Sequence, residues 1–140
     1  MRKYRIFNVE TQKLERALVL HPNGTVFENG KKISKKRFEK LKIFFDIGVK
    51  YKDGSLSIEG DIIDFDVGYG VLVCAYGYPV VKLRSDSIEL CSLDPLPLLF
   101  PCGNIFEKVS RELIACSFKF SIVQGLCQHF GVKFPCYTKR

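Results

Sequence analysis

The chain predicts a β-rich α+β domain: a curled antiparallel sheet or small β-barrel with an inserted basic helix and a C-terminal helix. Three observations lead there. Short β-branched and aromatic runs recur between Gly, Asn, Asp and Pro turns over residues 3–90. A cation-rich amphipathic stretch interrupts them at residues 35–46. From Ser110 onward the apolar spacing becomes helical.

Lys3–Val9 mixes Tyr4, Ile6, Phe7 and Val9 with charges, as a half-buried strand does. Leu14–Leu20 is a second run and Thr25-Val-Phe27 a third, separated by a His21-Pro-Asn-Gly24 turn. Asn29-Gly30 supplies a hairpin turn, so the first third reads as a β-meander. Ser34 can cap a helix, with Ile33 and Phe38 spaced as a hydrophobic staple. Phe38, Leu41 and Phe45 share a helical face, and Gly48 stops the helix. After an Asp53-Gly54 turn come strands at Ser57–Phe65, Val71–Ala75, Pro79–Leu83 and Ser87–Leu90. Asp94-Pro-Leu-Pro97 and Pro101 exclude regular structure and act as a hinge or a covering loop. In the tail, Leu113, Cys116, Phe120, Val123, Cys127 and Phe130 follow the 3-4 repeat of a coiled-coil seam, on a helix that Ser110 caps and Gly131 and Pro135 end. Ile114, Phe118, Ile122 and Leu126 lie on a neighbouring face. Residues 1–107 thus read as the β-rich domain and 108–140 as a helical tail, packed on that domain or on a second subunit.

At 140 residues, with twelve Phe, the chain holds one modest core and is too apolar for global disorder. No run is long enough to cross a bilayer, and the charged first twenty residues lack a secretory apolar stretch. The expected compartment is the cytoplasm, where Cys74, Cys91, Cys102, Cys116, Cys127 and Cys136 stay reduced. No Cys-x-x-Cys pair is present, so no metal or cofactor is expected. The net charge of +7 is uneven. Residues 1–40 hold eleven Lys/Arg against four Asp/Glu, residues 61–107 two against seven, and residues 108–140 six against one. Basic ends around an acidic middle suit a polyanion, a second subunit, or both.

Nothing in the pattern assembles a catalytic site. His21 and His129 are isolated. Glu59, Asp61, Asp64 and Asp66 read as charges that protect an edge strand rather than as metal ligands. Gly68-Tyr-Gly70 lacks the Lys-Ser/Thr of a phosphate loop. The chain is therefore expected not to be an enzyme. Two binding roles remain. Lys31, Lys32, Lys35, Lys36, Arg37 and Lys40 can contact nucleic-acid phosphates, helped by a helix N-terminus and by stacking on Tyr69, Tyr76 and Tyr78. The tail seam Leu113, Cys116, Phe120, Val123, Cys127 and Phe130 can join subunits of a homo-oligomer that acts as a protein-interaction module.

Three segments carry a family resemblance. They are Tyr4-Arg-Ile-Phe-Asn-Val-Glu-Thr-Gln-Lys13, then Ile47-Gly-Val-Lys-Tyr-Lys-Asp-Gly54 leading into Ile58-Glu-Gly-Asp-Ile-Ile63, and finally Cys102-Gly-Asn-Ile-Phe-Glu107. In this order and spacing the chain resembles the YopX family of phage and prophage proteins over residues 1–107. Phe7 and Ile58 stand where that family usually has Tyr or Trp, and the tail after Glu107 lies outside the resemblance. The resemblance implies a phage or prophage gene expressed in a bacterial host cell, a small β-rich fold and no enzymatic activity. It brings no catalytic residue. The resulting expectation is a non-enzymatic accessory protein that binds a host or phage protein, probing protein contacts first and nucleic acid as the alternative.

Overall fold

The computed structural model describes residues 3–49, 51–65, 68–75, 77–84, 87–89 and 101–133. The proline-rich segment 94–97, Asp66, Tyr76, Cys91, Pro135 and Cys136 lie outside them. The chain runs β1 (Tyr4–Asn8), β2 (Lys13–Leu14), β3 (Leu18–Leu20), β4 (Val26–Glu28), β5 (Lys31–Lys32), α1 (Lys35–Phe38), β6 (Leu41–Phe45), β7 (Asp61–Phe65), β8 (Gly68–Ala75), β9 (Tyr78–Lys82), β10 (Ser87–Glu89), β11 (Pro101–Asn104), α2 (Lys108–Ser117) and α3 (Phe120–Phe130). The strands form three antiparallel sheets, ordered β2-β1-β6, β3-β4-β5 and β10-β9-β8-β7-β11. The fold is β-rich α+β, and no barrel closes among the described residues. The expected meander is divided: β1 pairs with β2 and β6, whereas β3, β4 and β5 form a sheet of their own.

The five-stranded sheet is buried on both faces. Ile62, Val71, Val73 and Val80 face the main core with Phe7 of β1 and Ile114, Val123, Leu126 and Phe130 of the two long helices. Ile63, Leu72 and Val81 face the other way, where Val49 and Tyr51 cover them. Alternate side chains leave a strand on opposite sides, so a strand covered twice reads as one continuous apolar run. Val71-Leu-Val73 is such a run. The same alternation makes β1 a hinge between cores: Phe7 enters the main one, while Ile6 joins Leu18, Leu20 and Val26 under the β3-β4-β5 sheet. Each fully buried Ile or Leu contributes about 1.5–3 kcal/mol.

The basic helix expected over residues 35–46 is a single turn. Ser34 does cap it, its Oγ accepting from the Arg37 amide at 3.1 Å. Beyond Lys40, however, Leu41–Phe45 is a strand paired with β1 over all five residues, from Asn8↔Leu41 to Tyr4↔Phe45. The apolar residues of this stretch fit both a helical and a two-residue period. The strand wins because it sends Leu41 and Ile43 into the Ile6 cluster and Phe44 toward Phe7 and Phe106. Gly48 therefore ends no helix.

The tail is two helices rather than one. Phe118 and Lys119 are both extended, and Phe118 is buried in the main core. No Gly or Pro marks this break; burial of Phe118 sets it. The first helix starts at Lys108 behind Glu107, so Ser110 is not its cap. Ser110 is buried instead against Gly103 of β11, where a Cβ would lie 2.0 Å from its Oγ. Gly131 closes α3 in the left-handed conformation, as expected. Lys42 of β6 donates to the Phe130 carbonyl at 3.2 Å, placing a cation at that helix end. No helix among the described residues is long and apolar enough to cross a membrane.

Gly125 lies in the interior of α3, and an added Cβ would meet no atom within 4 Å. Alanine restricts the unfolded chain and favours the helix. Gly125→Ala should therefore raise stability by about 0.5–1 kcal/mol, read as a higher urea midpoint at unchanged slope.

Candidate functional site

The largest convergence of polar side chains is inside the protein, at Asp61. It opens β7 and is fully buried. Its Oδ2 accepts from the Tyr51 hydroxyl at 2.7 Å and the Ile58 amide at 3.0 Å, and its Oδ1 accepts from Asn104 Nδ2 at 3.0 Å. Arg5 Nη1 of β1 is 3.8 Å from Oδ1. Strand β1, β11 and the segment just before β7 thus meet on one carboxylate. The contacts extend outward. Asn104 Nδ2 also reaches the Glu59 carbonyl, and its Oδ1 accepts from the Phe106 amide at 2.9 Å. The Ile105 amide donates to the Gly60 carbonyl and the Gly60 amide to the Leu72 carbonyl. Gly60 has φ +93°, and a Cβ there would lie 2.8 Å from Ile105 Cγ2, so only glycine fits between the two segments.

Tyr51 is delivered by the segment between β6 and β7, which folds around a second carboxylate. Asp46 Oδ1 accepts from the Gly48 amide, the Ser57 amide and the Ser57 hydroxyl at 3.1–3.3 Å. Burial works against this carboxylate, but the donors outweigh it and hold its pKa below the ordinary range. At Asp61 the balance is reversed: burial dominates and raises its pKa despite the donors and Arg5. Burial, followed by the Asp61 charge, pushes the Tyr51 phenol well up, so it remains a donor.

This centre corrects the sequence reading of Asp61. The expected edge strand is internal, because β11 lies outside β7. Asp61 is a buried anchor, while Asp64 alone of the neighbouring described acids is exposed. Asp61 itself has no solvent-accessible surface, and its two oxygens are taken up by Tyr51, Ile58 and Asn104. It is structural. The segments Ile58–Ile63 and Cys102–Glu107 are the two halves of this clasp, with Asp61 and Asn104 directly opposite in register. Their ordered recurrence was the only sequence signal for it.

Elsewhere, His129 Nε2 lies 3.4 Å from Glu59 Oε2, which also accepts from the Cys74 amide at 3.1 Å. Burial pushes the Cys74, Cys102 and Cys127 thiols up, the opposite of an activated nucleophile. Among the described residues no three His, Cys, Asp or Glu side chains cluster as metal ligands.

The basic segment divides. The Arg37 guanidinium is engaged by Glu28, with a second contact of 3.3 Å and Glu15 at 4.0 Å, and Lys40 pairs with Glu10 at 3.1 Å. Arg37 correspondingly holds the Glu28 carboxyl below its usual range. Lys31, Lys32, Lys35 and Lys36 are exposed and meet no carboxylate of the described residues. Between β5 and α1 lies a groove of ≈ 340 Å³, with Lys32 and Lys35 on its rim and Val26, Ile33 and Phe38 in its wall. A one-turn helix with its Arg37 amide already capped provides no amide cradle for phosphate. The expected stacking residues are also unsuited: Tyr69 and Tyr78 are half-buried against the main core.

The tail seam divides as well. Val123, Cys127 and Phe130 are buried within the chain. Leu113, Cys116 and Phe120 remain at the surface, joined by Val109, which the heptad pattern had missed and which is 73 % exposed. The split falls within the first turn of α3, where Phe120 faces outward and Val123 inward. No protein-family model matches the chain, and no curated protein is similar to it.

Two expectations follow from the clasp. Asp61→Ala strands the Tyr51 hydroxyl and the Ile58 amide and leaves Asn104 Nδ2 with the Glu59 carbonyl alone; at about 1–3 kcal/mol per buried unsatisfied group, it should cost at least about 2 kcal/mol, measured by urea unfolding. Because the native pKa of Asp61 is raised, its stabilising contribution is full below the ordinary 3.8 and is lost as pH rises through the native value. The stability difference between wild type and Asp61→Asn should therefore shrink as pH rises above the ordinary carboxyl range. A difference that grows with pH would show the carboxylate to be favoured by its surroundings instead.

Proposed function

We propose that this chain is a non-enzymatic phage or prophage accessory protein that acts as a protein-interaction module and assembles as a homo-oligomer. One observation carries the self-association: the outward apolar stripe of α2. Val109, Leu113 and Cys116 recur at i, i+4 and i+7 on a ten-residue helix, with Val109 73 % and Leu113 36 % exposed. The exposed Phe120 lies just beyond its end. An apolar stripe of this kind is what helix–helix packing uses.

Antiparallel contact of two such helices about a two-fold axis is self-complementary. It sets Val109 of one copy against Cys116 of the other, with Leu113 near the axis. The buried half of the tail, Val123, Cys127 and Phe130, anchors the surface to the domain core and takes no part in the contact. The phage setting, and with it the cytoplasm of a bacterial host, rests on the resemblance of the three ordered motifs. A host or phage protein is the further partner this reading assigns to the assembly.

Light-scattering mass tests the reading. Wild type should exceed the 16.0 kDa of a single chain, and the mass should resist high salt because the contact is apolar. Val109→Asp with Leu113→Asp should return it to one chain without loss of circular-dichroism signal. A wild-type mass of one chain, or an unchanged oligomer in the double variant, defeats the assignment of this face.

A further inference from the structure

We infer that the groove between β5 and α1 binds single-stranded nucleic acid, one base stacking on Phe38 while Lys32 and Lys35 hold the flanking phosphates. This is independent of self-association through α2.

Phe38 is the starting point. It is 40 % exposed and belongs to none of the three apolar clusters, although it sits in the middle of a cationic segment. Folding does not account for an aromatic ring there. The ring shares the groove with Val26 and Ile33, so a flat apolar ligand finds a wall on more than one side. At ≈ 340 Å³ the groove is at the small end of ligand pockets, roughly 300–1,000 Å³. That suits a base and its sugar rather than a folded surface.

The charge is complementary to a phosphate chain. Lys32 and Lys35 on the rim, with Lys31 and Lys36 beside them, meet no carboxylate of the described residues, while the nearby Glu28 and Glu10 are occupied by Arg37 and Lys40. Unneutralised lysines around an exposed aromatic ring are the elements of single-strand recognition. An acidic peptide shares the charge but fits the groove less well. Strand β5 has two residues, both exposed lysines, and such a short charged edge discourages addition of a peptide strand.

The test is fluorescence anisotropy with a short labelled oligothymidylate, the matching duplex, and polyglutamate as competitor, at low and high salt. The single strand should bind more tightly than the duplex, and affinity should fall as salt rises. Phe38→Ala should weaken single-strand binding roughly 5- to 150-fold, the loss of one stacked base, with the salt slope unchanged. Phe38→Tyr should restore it. Lys32→Glu with Lys35→Glu should cost at least about tenfold and flatten the slope, and Lys36→Glu, outside the groove, should cost less. Thermal unfolding of each variant should match wild type, since none of these side chains is in a core. Equal affinity for duplex with no effect of Phe38→Ala overturns the proposal in favour of a generic phosphate surface. Displacement by polyglutamate at equal charge concentration overturns it in favour of an acidic peptide, and absence of binding at low salt overturns it outright.

Discussion

A single buried carboxylate holds this architecture together. Asp61 takes hydrogen bonds from Tyr51, Ile58 and Asn104 and lies near Arg5, so strand β1, the segment before β7, β7 itself and β11 are all referred to one point. Apolar packing is non-directional and would tolerate a shifted register of β11 on β7. The Asn104 amide, which bonds Asp61 and the Glu59 carbonyl while its own oxygen caps Phe106, does not. A buried charge is costly unless its lone pairs are satisfied, and here the cost enforces one arrangement of the chain. The raised pKa of Asp61 is the residue of that cost.

The consequences spread through the core. With Asn104 pinned, Ile105 and Phe106 enter the main cluster at fixed positions, and α2 begins directly after them. Gly103 then lets Ser110 sit against β11 without a side chain between. Phe106 touches Phe7, Phe44 and Phe130, so the ring cluster links the β2-β1-β6 sheet, the clasp and the last helix. Lys42 lies 5.4 Å from the Phe106 ring centre while it bonds the end of α3, which ties the tail to the β6 strand. Residues 108–133 are accordingly part of the same folded unit as the strands, not an appendage to it.

How much of this was legible in the sequence depended on whether a residue's role was local. Turns were legible, because Asn29-Gly30 and Asp53-Gly54 act through their own backbone. So was the double-sided burial of Val71-Leu-Val73, since an unbroken apolar run has few other uses in so short a strand. Leu41–Phe45 was misread because its apolar residues fit two periods, and only the availability of β1 as a partner decides between them. The tail break at Phe118 has no local marker either; a large side chain turned into a distant core produces it. Asp61 is the extreme case. Among Glu59, Asp64 and Asp66 it looks like one more surface acid, and only its contacts with Tyr51 and with the distant Asn104 and Arg5 distinguish it. The candidate surfaces were half legible. The lysines were visible as a group, but the ion pairs that remove Arg37 and Lys40 from it, and the groove that singles out Phe38, exist only in three dimensions.

The clasp also constrains where function can reside. The Asp61 carboxyl is buried and its oxygens are bonded to Tyr51, Ile58 and Asn104, so it contributes by holding these segments in place. Two surfaces are held in this way, and they rest on different foundations. The β5–α1 groove is built over the Ile6–Leu18–Val26 cluster, whereas α2 is seated on the main core through Ile114. Only β1 contributes a buried residue to both clusters, Ile6 to one and Phe7 to the other. The two surfaces rest on different clusters, which favours additive effects of their substitutions. Substitutions at the α2 face and at the β5–α1 groove can therefore be read separately, provided the Asp61 centre stays intact.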